Sequence, residues 1–236
     1  EEFLSDYYKR RELILSTVKE KTDSRGVRII DDQFNSGSLV SDKSNPISPY
    51  YDISFPWLSG LPKKDIYNMA NDHKWFLSLD LRKANFQAMN FYNPELFIGE
   101  MISPDLGIDD IYNKWLDTFE DKNTLIGDCV RESKYLREVV FGNIGPSRAI
   151  RIEKWMISNV ASICKDRLET AGLEYRFAQL GSDEVVIEVG DIDSSIIGEL
   201  EKDMRTVNKV DIKAEIFTVV GTDFVTESGS KVDAFI

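Results

Sequence analysis

The stretch YRFAQLGSDEVVIEV, residues 175–189, reads as two short strands around a tight turn. Tyr175–Leu180 and Val185–Val189 carry the aromatic and β-branched residues that suit a pleated surface, and Gly181-Ser182-Asp183-Glu184 supplies the turn. On its N-terminal side, a long helix is expected from Ser147 to about Thr170, with Ser147 as N-cap and Gly172 as breaker. A further helix over 128–141 stops at Gly142-Asn143-Ile144-Gly145-Pro146, and Trp75–Leu81 is a strand buried through Phe76, Leu77, Leu79 and Leu81. On the C-terminal side, Asp193/Ser194 caps a helix through about Val207, Asp211–Val220 is a strand, and 221–236 forms a terminal hairpin or tail. From residue 75 the order is therefore strand, helices, strand, strand, helix, strand. That is the split βαβ, or ferredoxin-like, order: an α+β fold with an antiparallel sheet and its helices on one face.

The remaining chain is less regular. Residues 1–72 form an N-terminal helical and loop region. Within it, 3–22 has Leu4, Tyr7, Tyr8, Leu13, Ile14 and Val18 at helical spacing, and 23–62 is broken by Pro46, Pro49, Pro56 and Pro62. The aromatic-rich Tyr50–Trp57 is a loop packed on the core or a base-stacking platform, and a short helix is expected over 63–72. Residues 94–126 are acidic and read as an insertion with one helix near Ile108–Phe119.

Composition narrows the function classes. The 236 residues suit one domain with an insertion or two small domains, and 42% hydrophobic residues supply a packed core. The longest apolar runs, such as Ile216–Val220, are strand length, so no membrane partner is expected. The single His73, with Cys129 and Cys164, rules out a disulfide framework and a four-ligand zinc site, and fits a reducing, intracellular, cytoplasmic setting. A net charge of −12 opposes tight, unassisted binding of a polyanion. The chain opens Glu1-Glu2-Phe3 with no signal-peptide pattern, as a processed or excised piece would.

The acids carry the functional signal. Asp80 ends an apolar strand, and Asp183 and Glu184 sit at the hairpin tip, which a split βαβ sheet places beside that strand. Clustered carboxylates repel one another unless a cation shares them. All-oxygen donors point to Mg²⁺ (or Mn²⁺), completed by water and substrate phosphates. Two such ions about 3.5–4 Å apart activate a hydroxyl and stabilise departing pyrophosphate, which is nucleotidyl transfer. The plain alternative is a polar turn with no ligand.

Two segments resemble known motifs. Ser78-Leu79-Asp80-Leu81-Arg82-Lys83-Ala84-Asn85-Phe86-Gln87 is similar to the first palm motif of reverse transcriptases and related polymerases, RNA-dependent RNA polymerases among them. Gln179–Ile187 resembles their third motif, and the Gly142–Pro146 loop with the helix from Ser147 resembles their second. The resemblance implies a palm over 73–220, with 94–126 inserted and fingers within 1–72. It implies Asp80, Asp183 and Glu184 as catalytic and metal-binding residues, and NTPs and a nucleic-acid primer and template as partners. Further protein subunits and a viral or phage source fit the same resemblance. The sequence departs from reverse transcriptases at Glu184, where they have a second Asp, and at Asn85, where they have an aromatic ribose gate. Asn85, with Asn159 on the second-motif helix, favours ribonucleotides; the alternative for Asn85 is a turn-capping amide. The Gly-Ser-Asp-Glu turn also resembles the palms of 3′–5′ tRNA guanylyltransferases and nucleotide cyclases, which act without a template. A third reading is a catalytically silent palm that binds protein partners.

The basic groups complete the candidate site. Leu81, Arg82, Lys83 and Ala84 follow Asp80, and Arg148, Arg151 and Lys154 lie on the first turns of the long helix. A positive helix start beside a Gly-rich loop holds phosphates, or else is a solvated face. Arg82 and Lys83 reach a triphosphate or point outward. Lys209 and Lys213 both lie where some palms, by resemblance, carry a lysine acting as general acid toward pyrophosphate.

Overall fold

A computed structural model describes residues 2–24, 66–92, 94–119, 125–142, 146–190, 192–193, 195–225 and 231–235. Strands β1 (Trp75–Leu81), β2 (Tyr175–Leu180), β3 (Glu184–Val189) and β4 (Ile212–Thr218) form one sheet in the order β2-β3-β1-β4. Every neighbouring pair is antiparallel, and β1 pairs Asp80 with Glu184 on one side and with Lys213 on the other. The fold is thus α+β with an antiparallel sheet.

Alternation along the strands sorts the residues onto two faces. Leu77, Leu79 and Leu81 of β1 join Val185, Ile187, Ile212 and Ala214 in a core covered by α6 (Pro146–Thr170) and α7 (Ser195–Asp203). From α6 that core takes Ile152, Met156, Ile157, Val160, Cys164 and Leu168. The long helix ends as its sequence foretells: Gly172 adopts φ +67°, and Leu173 N–H closes on the Leu168 carbonyl at 3.0 Å. The opposite sheet face carries Phe76, Val186, Ala178, Ile66 and Val219 in a small apolar cluster, followed toward the hairpin tip by Ser78, Asp80 and Glu184.

A second core lies beside the sheet. It joins α1 (Glu2–Ser24) to α3 (Ile108–Leu116), α4 (Leu125–Glu132) and α5 (Lys134–Gly142) through Ile14, Ile111, Trp115, Val130, Leu136 and Phe141. Helix α2 (Ala84–Tyr92) bridges the two cores, giving Ala88 to the first and Phe86 and Met89 to the second. The Phe86 ring lies 4.5 Å from Phe97 and 5.3 Å from Phe141, centroid to centroid.

The expected helix over 3–22, the hairpin and the long helix are present, and 221–236 holds a ribbon of β5 (Gly221–Val225) and β6 (Lys231–Phe235). Two expectations need correction, over 128–141 and 63–72, and two further details appear only in the structure. Residues 128–141 are not one helix but α4 and α5, because Ser133 Oγ accepts from Leu136 N at 3.0 Å and starts a new helix. The helix after Asp193 runs as far as expected, its α part ending at Asp203 and a π segment, Met204–Asn208, continuing it to Lys209 at φ 57°. The turn after β1 leads directly into α2, which the sequence pattern did not suggest. Of the expected 63–72 helix, the described part is a 3₁₀ turn, Met69–Asn71. Tyr50–Trp57 lies outside the described residues.

Candidate active site

Backbone bonds stitch the hairpin tip to the end of β1. Leu81 N–H donates to the Asp183 carbonyl at 2.9 Å, and Gly181 N–H closes the turn on the Glu184 carbonyl at 2.7 Å. A Cβ on Gly181 would approach that carbonyl oxygen to 3.3 Å, which is why the tight turn takes glycine. Asp80 and Asp183 consequently line one cavity of about 310 Å³, together with Leu81, Lys83, Ala84 and Asn85. Burial, then the negative charges of Asp183 and Glu184, push the Asp80 carboxyl up to about 6, against the pull of Lys213 and Lys134.

Glu184 takes a different course. Its Oε1 accepts from Ser78 Oγ at 2.8 Å, and it lines a neighbouring cavity of about 380 Å³ with Tyr67, Gln179, Glu215 and Phe217. The three acids expected to converge are therefore split between two cavities. Among the described residues, no three His, Cys, Asp or Glu side chains stand close enough to hold a metal ion by themselves.

The basic residues also separate. Lys83, at φ 47°, lines the Asp80–Asp183 cavity with its Nζ 2.7 Å from Asp109 Oδ1. Arg82 turns away: its Nε donates to the Ile212 carbonyl at 3.0 Å, and its guanidinium meets Glu201 and the buried Asp211 at 3.5 and 3.6 Å. Lys209 bonds the Thr206 carbonyl at 3.3 Å in the turn before β4. Lys213 faces Asp80 from β4, with its Nζ 2.7 Å from Glu215, so the fold brings only the second of the two lysines beside Asp80. Asn159 is half-buried on α6 and does not line the cavity. Arg148 and Arg151 lie on the first turns of α6, and their side chains are outside the described residues.

Sequence reasoning missed two features. Lys134, Arg137 and Glu138 of α5 form the far wall of the Asp80–Asp183 cavity. Their signal was the i, i+3, i+4 spacing, which puts them on one helix face without saying what that face meets. The other is Glu153, enclosed among the apolar residues of α6 at 4% exposure. Burial and then the charge of Asp183 push its carboxyl up to about 7. Its signal was an acid flanked by Ile152, Met156 and Ile157 on the buried stripe.

No protein-family model matches the chain, and no curated protein sequence matches it. The functional reading rests on the geometry. Asp80 and Asp183 share with Glu138 and three cationic side chains, Lys83, Lys134 and Arg137, a space large enough for part of a nucleotide. Such a cavity suits a polyphosphate bridged to the acids by a cation.

Proposed function

We propose that the chain is a palm-type nucleotidyltransferase that adds NTPs to a nucleic-acid 3′-OH. The observation that carries this reading is the shared cavity of Asp80 and Asp183, walled by Lys83, Lys134 and Arg137. Support for a ferredoxin-like palm comes from the strand order β2-β3-β1-β4, with α6 and α7 on one face and the acids at the edge of β1 and the hairpin. The donor set fits Mg²⁺ or Mn²⁺: burial and then the charges of Asp183 and Glu184 raise Asp80, a hard cation offsets that charge repulsion, and Mg²⁺ requires only one or two carboxylates before water and phosphate complete its shell. When bound, that cation would lower the charge barrier to in-line displacement at the α-phosphate.

The chain's own residues divide the remaining work. Asp80 and Asp183 hold the cation and orient the acceptor hydroxyl. Lys83, Lys134 and Arg137 grip the β- and γ-phosphates, and geometry and charge supply most of the rate, as in other phosphoryl-type transfers. Asn85, in the same cavity, is placed to hydrogen-bond a ribose hydroxyl, so ribonucleotides are favoured. Lys213, beside Asp80, is the stronger of the two lysine candidates for general acid. Glu184, held by Ser78, acts through its charge rather than as a direct ligand.

A catalytically silent palm within a larger assembly is the second reading, favoured by the diversion of Glu184 into the neighbouring cavity and by the net charge of −12. Calorimetry of NTP binding with Mg²⁺ or Mn²⁺, on the native chain and on Asp183→Ala, separates the two. Metal-dependent binding that the variant loses, followed by primer extension, is the expected result. Absence of binding in both proteins leaves the silent palm.

A further inference from the structure

The sheet face that carries the acids also carries the second cavity, of about 380 Å³, and its lining has a different character. Register explains the floor. Gln179, Val186, Ser78 and Glu215 form one row across all four strands, and alternation turns them to the same side. Two residues along from that row, Glu184 marks one end of the floor and Phe217 the other. Phe217 stacks on Phe76 with ring centroids 5.5 Å apart, and Tyr67 stands in the cavity wall at 60% exposure. The two carboxylates differ in what meets them. Glu215 pairs with Lys213 at 2.7 Å near the surface. Glu184 is half-buried, and among the described residues its side chain meets only neutral groups, Ser78 Oγ at 2.8 Å and Gln179 Nε2 at 3.5 Å.

A carboxylate partly withdrawn from water is costly to keep charged, and an opposite charge offsets that cost. The described lining holds no Lys, Arg or His, so a phosphate-bearing ligand meets repulsion there. A bare metal ion gains nothing from two aromatic rings and finds no group of three acids among the described residues. An organic cation matches both halves of the lining. A planar guanidinium lies flat on an aromatic ring and gives a carboxylate two parallel N–H bonds, which a compact ammonium cannot do. We propose that this cavity is a guanidinium site, in which Glu184 accepts the forked N–H donors, Tyr67 and Phe217 flank the cation, and Gln179 and Glu215 take the remaining donors. The chemistry is that of an arginine side chain on a partner protein or of a small guanidino compound. The site does not depend on metal binding by Asp80 and Asp183. It is nevertheless coupled to them, because a cation on Glu184 offsets one of the two charges that raise Asp80.

The test is protein-observed NMR of the full chain at low salt, without metal or nucleotide. Acetyl-argininamide, agmatine, acetyl-lysinamide and guanosine are titrated separately. The two guanidinium probes should shift the same resonances, those of the cavity floor, and acetyl-lysinamide should bind roughly tenfold more weakly. Glu184→Gln keeps the side-chain shape and should weaken both guanidinium probes roughly 10- to 100-fold. Tyr67→Ala, at an exposed position, should weaken them roughly 3- to 10-fold. Each variant's spectrum away from the cavity reports its fold, and Tyr67→Ala decides the matter if Glu184→Gln does not fold. Tighter binding of acetyl-argininamide than of agmatine supports an arginine of a partner protein, and the reverse order supports a small guanidino compound. Native affinity in either folded variant overturns the proposal, as does equal binding of acetyl-lysinamide. Guanosine binding that Glu184→Gln abolishes overturns it in favour of a nucleobase site, and binding of none of the four probes overturns it outright.

Discussion

Asp80 illustrates how a single carboxyl records its surroundings. Its folded-state pKa of about 6 lies above the ordinary 3.8, so between those pH values the folded chain keeps a proton that the unfolded chain has lost. Stability therefore falls as pH rises through that window and levels off above it. Without metal, Asp80→Asn should melt with the native protein below about pH 4 and above it in temperature beyond about pH 6. Melting curves across that range check this, and a variant that tracks the native profile throughout would refute it. The same proton competes with a cation, so Mn²⁺ affinity of the native chain should rise through the same window. The strand-end position of Asp80 was legible from Trp75–Leu81 alone. The splitting of Asp183 from Glu184 was not, because it depends on Ser78 two residues back along the neighbouring strand.

Elements place these residues, and two of them decide the site. Helix α2 escaped the sequence reading because it is apolar on two sides: Ala88 faces the core under the sheet, while Phe86 and Met89 face the aromatic core beside it. A helix buried between two cores shows no single stripe. Its buried Gln87 ties three segments together, with Nε2 donating to the Arg82 and Asp211 carbonyls at 2.9 Å each and Oε1 accepting from Asp211 N at 2.6 Å. Gln87→Leu strips Asp211 N–H of its acceptor and the Arg82 carbonyl of a donor, while the Asp211 carbonyl keeps Arg82 N–H at 3.1 Å, and should cost about 3 kcal/mol, read as a lower urea midpoint. Helix α5 contributes Lys134 and Arg137, and its start at Ser133 was hidden inside a continuous helical pattern. Replacing either residue with Ala should weaken NTP binding roughly 10- to 100-fold, since a hydrogen bond to a charged group is worth about 1.5–3 kcal/mol. Titrations with triphosphate and with nucleoside should show the loss only for the former. Equal losses for both would place these side chains away from the phosphates.

At the scale of the whole molecule, the two cores make the acidic segment over 94–126 integral to the fold. Trp115 and Tyr112 of α3 are fully enclosed against α2, and Lys83 lies 5.0 Å over the Tyr112 ring. Asp211, also enclosed, accepts from Ile108 N at 2.8 Å and meets Arg205 Nε at 2.8 Å, joining α3 to the sheet. The chain carries a net charge of −12, while Lys83, Lys134 and Arg137 line the cavity alongside Asp80, Asp183 and Glu138. Binding of a labelled single-stranded RNA should therefore be weak and should require a divalent cation. Fluorescence anisotropy with Mg²⁺ against chelator tests this, and tight binding in chelator would contradict it. Among the described residues, no helix is long and apolar enough to cross a membrane.

Local chemistry settled the hairpin, the long helix closed by Gly172 and the strand that ends in Asp80, because turn residues, caps and two-residue alternation act within a few positions. Strand order agrees with the split βαβ succession of those elements, whereas the register that sets Asp80 between Glu184 and Lys213 came only with the assembled sheet. Long-range packing alone decided which partners reach the acids: Lys134 and Arg137 arrive from a helix that folds against a different core, and Arg82 is drawn off by Asp211 and Glu201. Glu153 is one polar position within an apolar stripe, and only the packing of that stripe encloses its Oε1 without a partner. Burial and charge at such positions are sums over segments far apart in the chain, and no window of sequence contains them.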